Sequence, residues 1–359
     1  MPGFPAGHLW RTEVHTRQLK AAVAGCGGIA QLHISCIRRN KHADVVAVCD
    51  VNEERARATA SAFSIRNHYP DLRQLLQTEQ VDVVHITTPP QSHLALSIAA
   101  IDAGCNLLVE KPMALNPDEA DRMIEAARAR KVRMGVVHDQ LFLPVVLRAR
   151  ALVDQGSIGE PLWVHLTVSD PENSPLVLDR EHWCHALPGG IFGEMLPHPL
   201  YLARAFMGTL KTSAVHCQKL GKRDWMRCDE LRVILEGHRS VATITASVNG
   251  PSDIRTIDIA GTEACLHVDI SSGVLTRYTA TQRDRLSQGQ ENLRTGFKWL
   301  TGTGSAALRI LAGRHHTGHR ALIERFVESM VSGTDLPVEA EEGREVVGLQ
   351  DAVTSRMGL

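Results

Sequence analysis

Residues 21–30 read Ala-Ala-Val-Ala-Gly-Cys-Gly-Gly-Ile-Ala, an apolar run that ends in a glycine-rich turn. The apolar run predicts a buried strand, and the pattern at residues 29–39 predicts a helix directly after the turn. Gly25 permits a tight turn, Gly27 lets the backbone approach a ligand, and Ala30 allows the helix and the strand to pack closely. The positive end of the helix dipole lies at this turn, which therefore predicts a site for the phosphates of a dinucleotide.

Short apolar runs and helical patterns alternate over the first part of the chain. Strands are predicted at residues 21–24, 45–49, 81–87, 107–109 and 134–137, and helices at residues 29–39, 53–63, 92–103 and 118–130. Such alternation is typical of a parallel sheet with helices on both faces, joined by right-handed crossovers. We predict an α/β protein in which residues 19–139 form an NAD-binding, doubly wound domain of the Rossmann type.

The pattern changes after about residue 140. A helix is predicted at residues 145–155, and strands at residues 162–168, 212–219, 231–235, 241–248, 254–260, 265–269 and 274–278. Short turns between these strands indicate an open-faced, mostly antiparallel sheet within an α+β domain over residues 140–359. Because its strands carry apolar residues on both faces, we expect helices on one face and a second copy of the chain on the other. The prediction is a homodimer or homotetramer, with closing helices (residues 319–331 and 343–357) that can pack back on the first domain.

The net charge, the first residues and the cysteines indicate which partners and which location to expect. A formal net charge of -1 over 359 residues gives no electrostatic reason to expect nucleic acid or a membrane surface as a partner. Residues 1–18 are a polar tail without the apolar segment of an export signal. The eight cysteines contain no C-x-x-C pair and suit reduced core thiols, so a cytoplasmic location is expected. Residues 280–318 are basic, which is typical of a solvated or substrate-covering insertion and alternatively of an anion-binding segment.

Asp50 ends the second predicted strand, where a carboxylate accepts hydrogen bonds from an adenosine ribose. It would repel a 2′-phosphate, and no arginine directly follows it, so NAD is predicted over NADP. His93 has two interpretations, a coenzyme contact or a helix-start cap. The predicted coenzyme-binding residues are Gly25, Cys26, Gly27, Gly28, Ile29, Ala30, Asp50, Thr87, Thr88, Pro89, His93, Glu110 and Lys111.

Lys111 follows an apolar run at residues 106–109 and lies between an acid and a proline. A lysine at the carboxyl edge of a parallel sheet is placed to act on a substrate oxygen. The segment from Gly189 to Tyr201 offers a proton acceptor, His198, which we expect just before a helix that begins at Pro199. The helix dipole there would lower the pKa of the imidazole.

Glu194, four residues before His198, is expected to reach the imidazole. Lys111, His198 and Glu194 are therefore the predicted catalytic residues. The alternative is that His198 only caps a helix and that Glu194 is an ordinary loop acid.

Five residues are expected to contact the substrate, namely His138, Gln140, His182, Trp183 and Tyr201. Trp183 would offer an apolar face to a sugar ring, although core packing is an equally good interpretation of His182 and Trp183. Two histidine groups, His182 with His185 and His315 with His316 and His319, lack a third ligand at a fixed spacing, so no metal site is predicted. The absence of a G-x-S-x-G segment argues against a serine hydrolase.

Taken together and in this order, these motifs resemble the glucose–fructose oxidoreductase / inositol dehydrogenase / rhizopine-catabolism family of NAD(P)-dependent oxidoreductases. The carrying residues are Gly25 to Ala30, Asp50, Thr87-Thr88-Pro89 with His93, Glu110-Lys111-Pro112, and Gly189-Gly190 leading to Glu194 and His198. The resemblance implies a Rossmann domain, an open-faced sheet used for dimers or tetramers, and catalytic roles for Lys111 and His198. Glu194 departs from the family's usual aspartate and Pro197 from its usual glycine. Residues 138–142 also differ, so sugar contacts are not carried over there.

The sequence therefore predicts an NAD-dependent dehydrogenase that interconverts a secondary alcohol and a ketone on a sugar, cyclitol or related polyol. Lys111 and His198 would handle the proton. Two alternatives remain open at this point. One is a glycosidase that retains its NAD and acts by transient oxidation and elimination, and the other is a non-catalytic NAD-binding regulatory protein.

Overall fold

The computed structural model describes residues 18–279 and 318–358, together with the single residues 293, 296 and 304. Residues 1–17 of the polar tail lie outside the described residues, and so do the remaining residues of the basic segment up to residue 317, which include His315 and His316. Within the described part of the chain, no helix is both long enough and apolar enough to cross a membrane.

A parallel six-stranded sheet forms the first unit, in the order β3-β2-β1-β4-β5-β6. Its strands are β1 (Leu19–Ala24), β2 (Ala43–Cys49), β3 (Asn67–Tyr69), β4 (Val83–Ile86), β5 (Asn106–Val109) and β6 (Met134–Val136). Its helices are α1 (Gly28–Arg38), α2 (Glu53–Ala62), α3 (Leu72–Thr78), α4 (His93–Asp102) and α5 (Pro117–Arg130). The predicted doubly wound sheet is confirmed, and its strand order reverses between β1 and β4, where ligands bind in such folds.

Two elements of this first unit, the strand β3 and the helix α3, were not predicted. β3 has only three residues, Asn67–Tyr69, and all of them are polar or half-buried, so no apolar run marks it. The short helix α3 begins where the Asp71 carboxylate accepts a hydrogen bond from the backbone N–H of Gln74. Local capping and pairing with β2, rather than an apolar period, stabilise this part of the sheet.

The second unit is built on a seven-stranded sheet in the order β13-β12-β11-β7-β10-β9-β8. Its strands are β7 (Pro161–Pro171), β8 (Lys211–Gln218), β9 (Glu230–Glu236), β10 (Val241–Gly250), β11 (Ile254–Gly261), β12 (Ala264–Asp269) and β13 (Val274–Thr279). Its helices are α6 (Pro144–Asp154), α7 (Pro175–Leu178), α8 (Ile191–Met195) and α9 (Pro197–Met207). All neighbouring strands are antiparallel except β7 and β10, which confirms the mostly antiparallel sheet.

One face of the second sheet is covered and the other is open. Side chains alternate between buried and exposed along β9, β10 and β12. Helices α6 and α9 pack on the second sheet. Register places Tyr278, Cys265, Ala260, Trp163 and Val241 side by side in a row across five strands of the opposite face. We call this row the apolar stripe; its Tyr278, Trp163 and Val241 side chains are about two-fifths exposed.

The closing helices α10 (Gly318–Ser332) and α11 (Ala340–Thr354) pack against the first unit. The backbone N–H of Val136 at the end of β6 donates to the carbonyl of Val338. The Arg344 guanidinium makes two hydrogen bonds of 2.8 Å to the Asp121 carboxylate on α5. Gly343 lies so close to β6 that a Cβ atom there would meet Val136 Cγ2 at 2.6 Å. The chain therefore returns to the edge of the parallel sheet at its end.

The cysteines differ in part from the expectation of reduced thiols. Cys217 at the end of β8 and Cys228 just before β9 form a disulfide. Cys26, Cys36, Cys49, Cys105, Cys184 and Cys265 are free thiols, and all but the last are buried. The two joined cysteines are 11 residues apart, and antiparallel pairing of β8 with β9 brings them together.

The close approach of α11 to β6 yields a stability prediction. A Gly343→Leu variant must displace Val136 and Met113, whose sulfur lies 3.0 Å from a Cβ at this position. Overpacking of this kind costs roughly 1–3 kcal/mol, so we expect a lower free energy of unfolding in urea titrations. Gly348→Ala on the same helix is the matched control, since its nearest neighbour is the end of the flexible Arg344 side chain. Equal stability of the two variants would contradict the packing described here.

Candidate active site

The glycine-rich turn between β1 and α1 is held in place by the residues that directly follow β4. Gly25 has φ +93, a conformation that favours glycine, and a Cβ atom would lie 2.7 Å from Thr88 Cγ2. The Thr87 hydroxyl hydrogen-bonds the carbonyls of Ala24 and Gly25 at 3.0 and 2.9 Å. Thr87 therefore holds the turn in place, and its predicted contact with the coenzyme stays a prediction.

The outer side of the same turn is open. A Cβ atom added to Gly27 or to Gly28 would meet nothing within 4 Å. α1 begins without a side-chain cap and without an acid in its first turn. An uncapped helix start beneath open space is suited to an anionic phosphate, so the residues present fit the pyrophosphate of a dinucleotide.

Asp50 is held rigidly at the end of β2. Its two carboxylate oxygens accept hydrogen bonds of 2.8 Å from the backbone N–H groups of Cys26 and Asn52. Arg55 lies 3.7 Å from the same carboxylate, on a side chain that is about half exposed. The carboxylate thus lies beside the glycine turn, as the prediction of a ribose contact requires.

His93 occupies the first turn of α4 and is fully buried. Its Nδ1 lies 3.0 Å from the carbonyl of Pro112, and its Nε2 lies 2.9 Å from the carbonyl of Thr88. Burial lowers the pKa of this imidazole. His93 therefore connects the loop after β4 with the loop after β5, and this connecting role differs from both the predicted coenzyme contact and the helix-start cap.

Lys111 follows β5 and meets the second unit. Its ammonium forms an ion pair with the Glu194 carboxylate and a hydrogen bond of 3.2 Å to the Glu194 carbonyl. The two side chains are only 11% and 19% exposed. The expectation that Glu194 reaches His198 is therefore wrong, because the lysine takes the carboxylate instead. Glu194 Oε2 is buried, and no partner for it is found among the described residues.

His198 lies in the first turn of α9, which begins at Pro197 and not at Pro199 as expected. Two prolines flank this histidine and either can occupy the first helical turn, so the sequence placed the start two residues late. His198 Nδ1 lies 2.7 Å from the hydroxyl oxygen of Tyr201, one helical turn further along. The histidine thus turns away from Glu194 and towards Tyr201 and Asp139.

The Tyr201 hydroxyl is a shared partner of three groups. It accepts a hydrogen bond of 3.1 Å from the backbone N–H of Gln140, and it lies 2.7 Å from His198 Nδ1 and 3.2 Å from the Asp139 carboxylate. Its single hydrogen serves either His198 or Asp139. When Asp139 takes that hydrogen, Nδ1 is the donor and Nε2 keeps a free lone pair, which is the form that accepts a proton.

The His198 imidazole is kept neutral by its surroundings. Burial is the largest cause that lowers its pKa well below the ordinary value, and the positive charges of Lys111 and Arg255 act in the same direction. The sequence attributed this effect to the helix dipole, whereas the structure attributes it to burial and to neighbouring cations. A neutral imidazole therefore lies within the field of the Lys111 ammonium.

Glu110 faces histidines rather than open space. Its Oε1 lies 2.9 Å from His33 Nε2 and 3.4 Å from His319 Nε2, and its Oε2 accepts a hydrogen bond from the backbone N–H of Lys111. Burial opposes ionisation, but the hydrogen bonds from both histidines hold the Glu110 pKa well below its usual range. Glu110 is thus a buried anchor beneath Lys111, which differs from its predicted contact with the coenzyme.

The five predicted substrate residues divide into two groups. His138 and Tyr201 are buried and their rings stack 4.4 Å apart, which gives them a supporting position behind His198. Burial lowers the pKa of His138 to about 3. His182 and Trp183 are half-buried neighbours at the start of a short 3-10 turn, and Gln140 is half-buried beside Tyr201.

Three further residues belong to this region and were missed as site residues. Asp139 follows β6, and its position at the carboxyl end of a parallel strand is a signal that could have found it. His319 on α10 lies 3.3 Å from Asp139, and Arg255 on β11 acts on His198 through its charge. The last two come from distant parts of the chain, and no sequence spacing links them to Lys111.

Two family models match the chain. One is described as "Oxidoreductase family, NAD-binding Rossmann fold" and matches residues 19–138, and the other is described as "GFO/IDH/MocA C-terminal domain" and matches residues 146–267. Together they cover most of the chain. The prediction of an NAD-binding Rossmann domain is confirmed.

Among curated relatives, Oxidoreductase P35 of Formosa agariphila is 29% identical over 194 residues, which cover 53% of this chain and 60% of the relative. Myo-inositol 2-dehydrogenase of Thermotoga maritima is 30% identical over 190 residues, 53% of this chain and 55% of the relative. The chain thus spans little more than half the length of these relatives. D-apiose dehydrogenase of Rhizobium rhizogenes matches over 93% of this chain and 94% of its own length, at 22% identity.

Among solved structures, WlbA dehydrogenase from Bordetella pertussis with NADH and UDP-GlcNAcA superposes with a TM-score of 0.79. It is 20% identical in sequence, and the match covers 96% of this chain and 97% of that one. Levoglucosan dehydrogenase with NADH and levoglucosan gives a TM-score of 0.77 at 19% identity, covering 95% and 98% of the two chains. At this level of identity both confirm the fold.

The hydrogen bonds of Tyr201 can be tested by removing its hydroxyl. In Tyr201→Phe, the Gln140 N–H and His198 Nδ1 lose their shared hydrogen-bond partner. Leaving buried groups unpaired costs roughly 1–3 kcal/mol, so we expect a lower free energy of unfolding. Tyr278→Phe, at an exposed tyrosine, is the control and should change stability little. Equal effects of the two variants would show that the Tyr201 hydroxyl is not engaged in this way.

Proposed function

Because the chain belongs to the GFO/IDH/MocA oxidoreductase family, we propose that it is an NAD-dependent dehydrogenase. Its reaction interconverts a secondary alcohol and a ketone on a sugar, cyclitol or related polyol. The observation that carries this proposal is that a largely buried ammonium, Lys111, lies close enough to the His198 imidazole for its charge to lower the imidazole pKa, at the carboxyl edge of the parallel sheet. Relatives named as dehydrogenases of myo-inositol and D-apiose support the substrate class.

The coenzyme would be held by the first unit. The open face of Gly27 and Gly28 and the uncapped start of α1 receive the pyrophosphate, and Asp50 receives the adenosine ribose. NAD supplies the hydride acceptor when it is bound. The ring that reacts would extend towards the carboxyl ends of β4 and β5, where Lys111 lies.

His198 acts as the base when an alcohol is oxidised. Its Nε2 takes the hydroxyl proton, and Nδ1 remains bonded to Tyr201 throughout, so the ring keeps its orientation. In the reverse direction the same nitrogen returns the proton to the ketone oxygen. Tyr201 and Asp139 are positioning residues, since they act through His198.

Lys111 stabilises the oxygen on which negative charge develops. Its ammonium is a hydrogen-bond donor in a largely buried site, where such a charge interaction is stronger than in water. Glu194 holds that ammonium through its carboxylate and its carbonyl. The second carboxylate oxygen, Oε2, is a candidate acceptor for a further hydroxyl of a polyol.

The proposal is tested by loss of the base. In His198→Ala we expect turnover to fall roughly 10²–10⁴-fold, with NADH binding, measured by fluorescence, unchanged. The assay is the appearance of NADH with a panel of sugars, cyclitols and aminosugars. His238→Ala, in the exposed turn between β9 and β10, is the matched control. Unchanged turnover in His198→Ala would contradict the proposed base. If the protein instead cleaves a glycoside while it keeps its NAD and forms no net NADH, it is the glycosidase.

We further propose that two copies of the chain pair through the apolar stripe on the open face of the second sheet. Trp163, Val241 and Tyr278 offer exposed apolar surface in one continuous row. Exposed apolar surface on a sheet face is typical of a protein interface. Among the residues that the structure describes, helices cover the opposite face, so the face that carries the apolar stripe is the one available to a partner.

Trp163→Glu tests this interface, because a buried, unpaired carboxylate opposes association. We expect self-association to weaken on the order of tenfold or more, about 1.4 kcal/mol, in sedimentation at micromolar concentration. Leu220→Glu, at a side chain that is 64% exposed and outside the stripe, should leave the assembly unchanged. A wild-type monomer under these conditions would contradict the interface.

A further inference from the structure

Three side chains from separate elements converge beneath Lys111. They are His33 on α1, Glu110 after β5 and His319 on α10, and one ligand atom from each lies within 4.8 Å of the other two. We infer that these three residues form a binding site for a divalent transition metal, of which zinc suits the donor set best. Two imidazoles and one carboxylate are a common protein ligand set for zinc.

The separations between the ligand atoms fit a shared cation. Glu110 Oε1 lies 2.9 Å from His33 Nε2 and 3.4 Å from His319 Nε2. Two ligands bonded to zinc at roughly 2.0–2.2 Å, with angles between about 90° and 110°, are separated by about the same distances. Only small shifts of these side chains are needed to admit the ion.

Each histidine of the set is also oriented by a second partner. His319 Nδ1 lies 3.3 Å from the Asp139 carboxylate, and His33 Nδ1 lies 3.0 Å from His85 Nδ1. A metal-binding imidazole nearly always donates its other N–H to such a partner, which fixes the ring and its tautomer. Asp139 and His85 thus occupy the outer positions that a built metal site requires, and they leave both Nε2 atoms for the ion.

The local charges also favour a dication. Glu110 and Asp139 are two carboxylates in a largely buried space, and His319 lies between them. The neighbouring Lys111 ammonium is paired with Glu194. A divalent ion bound by neutral histidines would balance the charges of both carboxylates.

The proposed ion would connect the first unit with the closing helix α10. His33 and Glu110 belong to the parallel sheet and its first helix, and His319 belongs to the first closing helix, α10. Glu110 Oε2 also accepts the backbone N–H of Lys111, so the ion would stiffen the segment that carries this lysine. Three protein ligands leave one position for water. This site does not depend on the dehydrogenase proposal.

The test is zinc binding by the full chain after removal of metal with a chelator. We expect calorimetry with zinc chloride to show one equivalent bound and thermal unfolding to shift upwards. His319→Gln should lose that equivalent, and His267→Gln, at a histidine paired with Asp258 on the second sheet, should retain it. Asp139→Asn should bind zinc roughly 10–100-fold more weakly, because it removes only an outer partner.

Cobalt distinguishes this site from the free thiols. Cobalt bound by two imidazoles and a carboxylate gives visible bands without a thiolate charge-transfer band, and this is the expected spectrum. A thiolate band would place the metal on cysteines and overturn the assignment. Absence of binding by the wild type, or unchanged binding by a folded His319→Gln variant, would likewise leave the three residues as a hydrogen-bonded cluster only.

Discussion

The ion pair between Lys111 and Glu194 is a buried charge contact between the two units of this protein. Both side chains are largely buried, and an unpaired charge in such a place would cost several kcal/mol. The end of β5 and helix α8 must therefore stay together for either charge to be tolerated. Helix α9 follows α8 directly, so the same contact helps to hold His198 at the carboxyl edge of the parallel sheet. The amine and the imidazole thus come from opposite units and share this buried contact as a constraint.

Burial has opposite consequences for the two groups. The lysine has Glu194 as its partner, whereas burial lowers the pKa of the His198 imidazole well below the ordinary value, and the charges of Lys111 and Arg255 act in the same direction. A charged donor and a neutral acceptor can thus lie side by side at neutral pH. Tyr201 fixes the orientation of the His198 ring, because its hydroxyl lies within hydrogen-bond distance of His198 Nδ1, of the Asp139 carboxylate and of the Gln140 N–H.

Local patterns predicted most of the fold and the outline of the site. Apolar runs located the long strands, and strand ends located Asp50 and Lys111. The failures share a physical cause, which is that tertiary contacts decided the outcome. The start of α9 depended on which proline begins the helix, and the partner of Glu194 depended on a lysine from the other unit. The strand Asn67–Tyr69 had too few apolar residues to leave a pattern.

His319 shows why the closing helices belong to the site, although they are remote from it in sequence. Its Nε2 faces Glu110, which accepts the backbone N–H of Lys111, and its Nδ1 faces Asp139, which accepts the Tyr201 hydroxyl. One imidazole therefore contacts both the carboxylate that accepts the backbone N–H of Lys111 and the carboxylate beside His198 and Tyr201. A shift of α10 would disturb the lysine side and the histidine side together. The packing of α10 and α11 on the first unit is thus a condition for the geometry of the site, as well as for the stability of the fold.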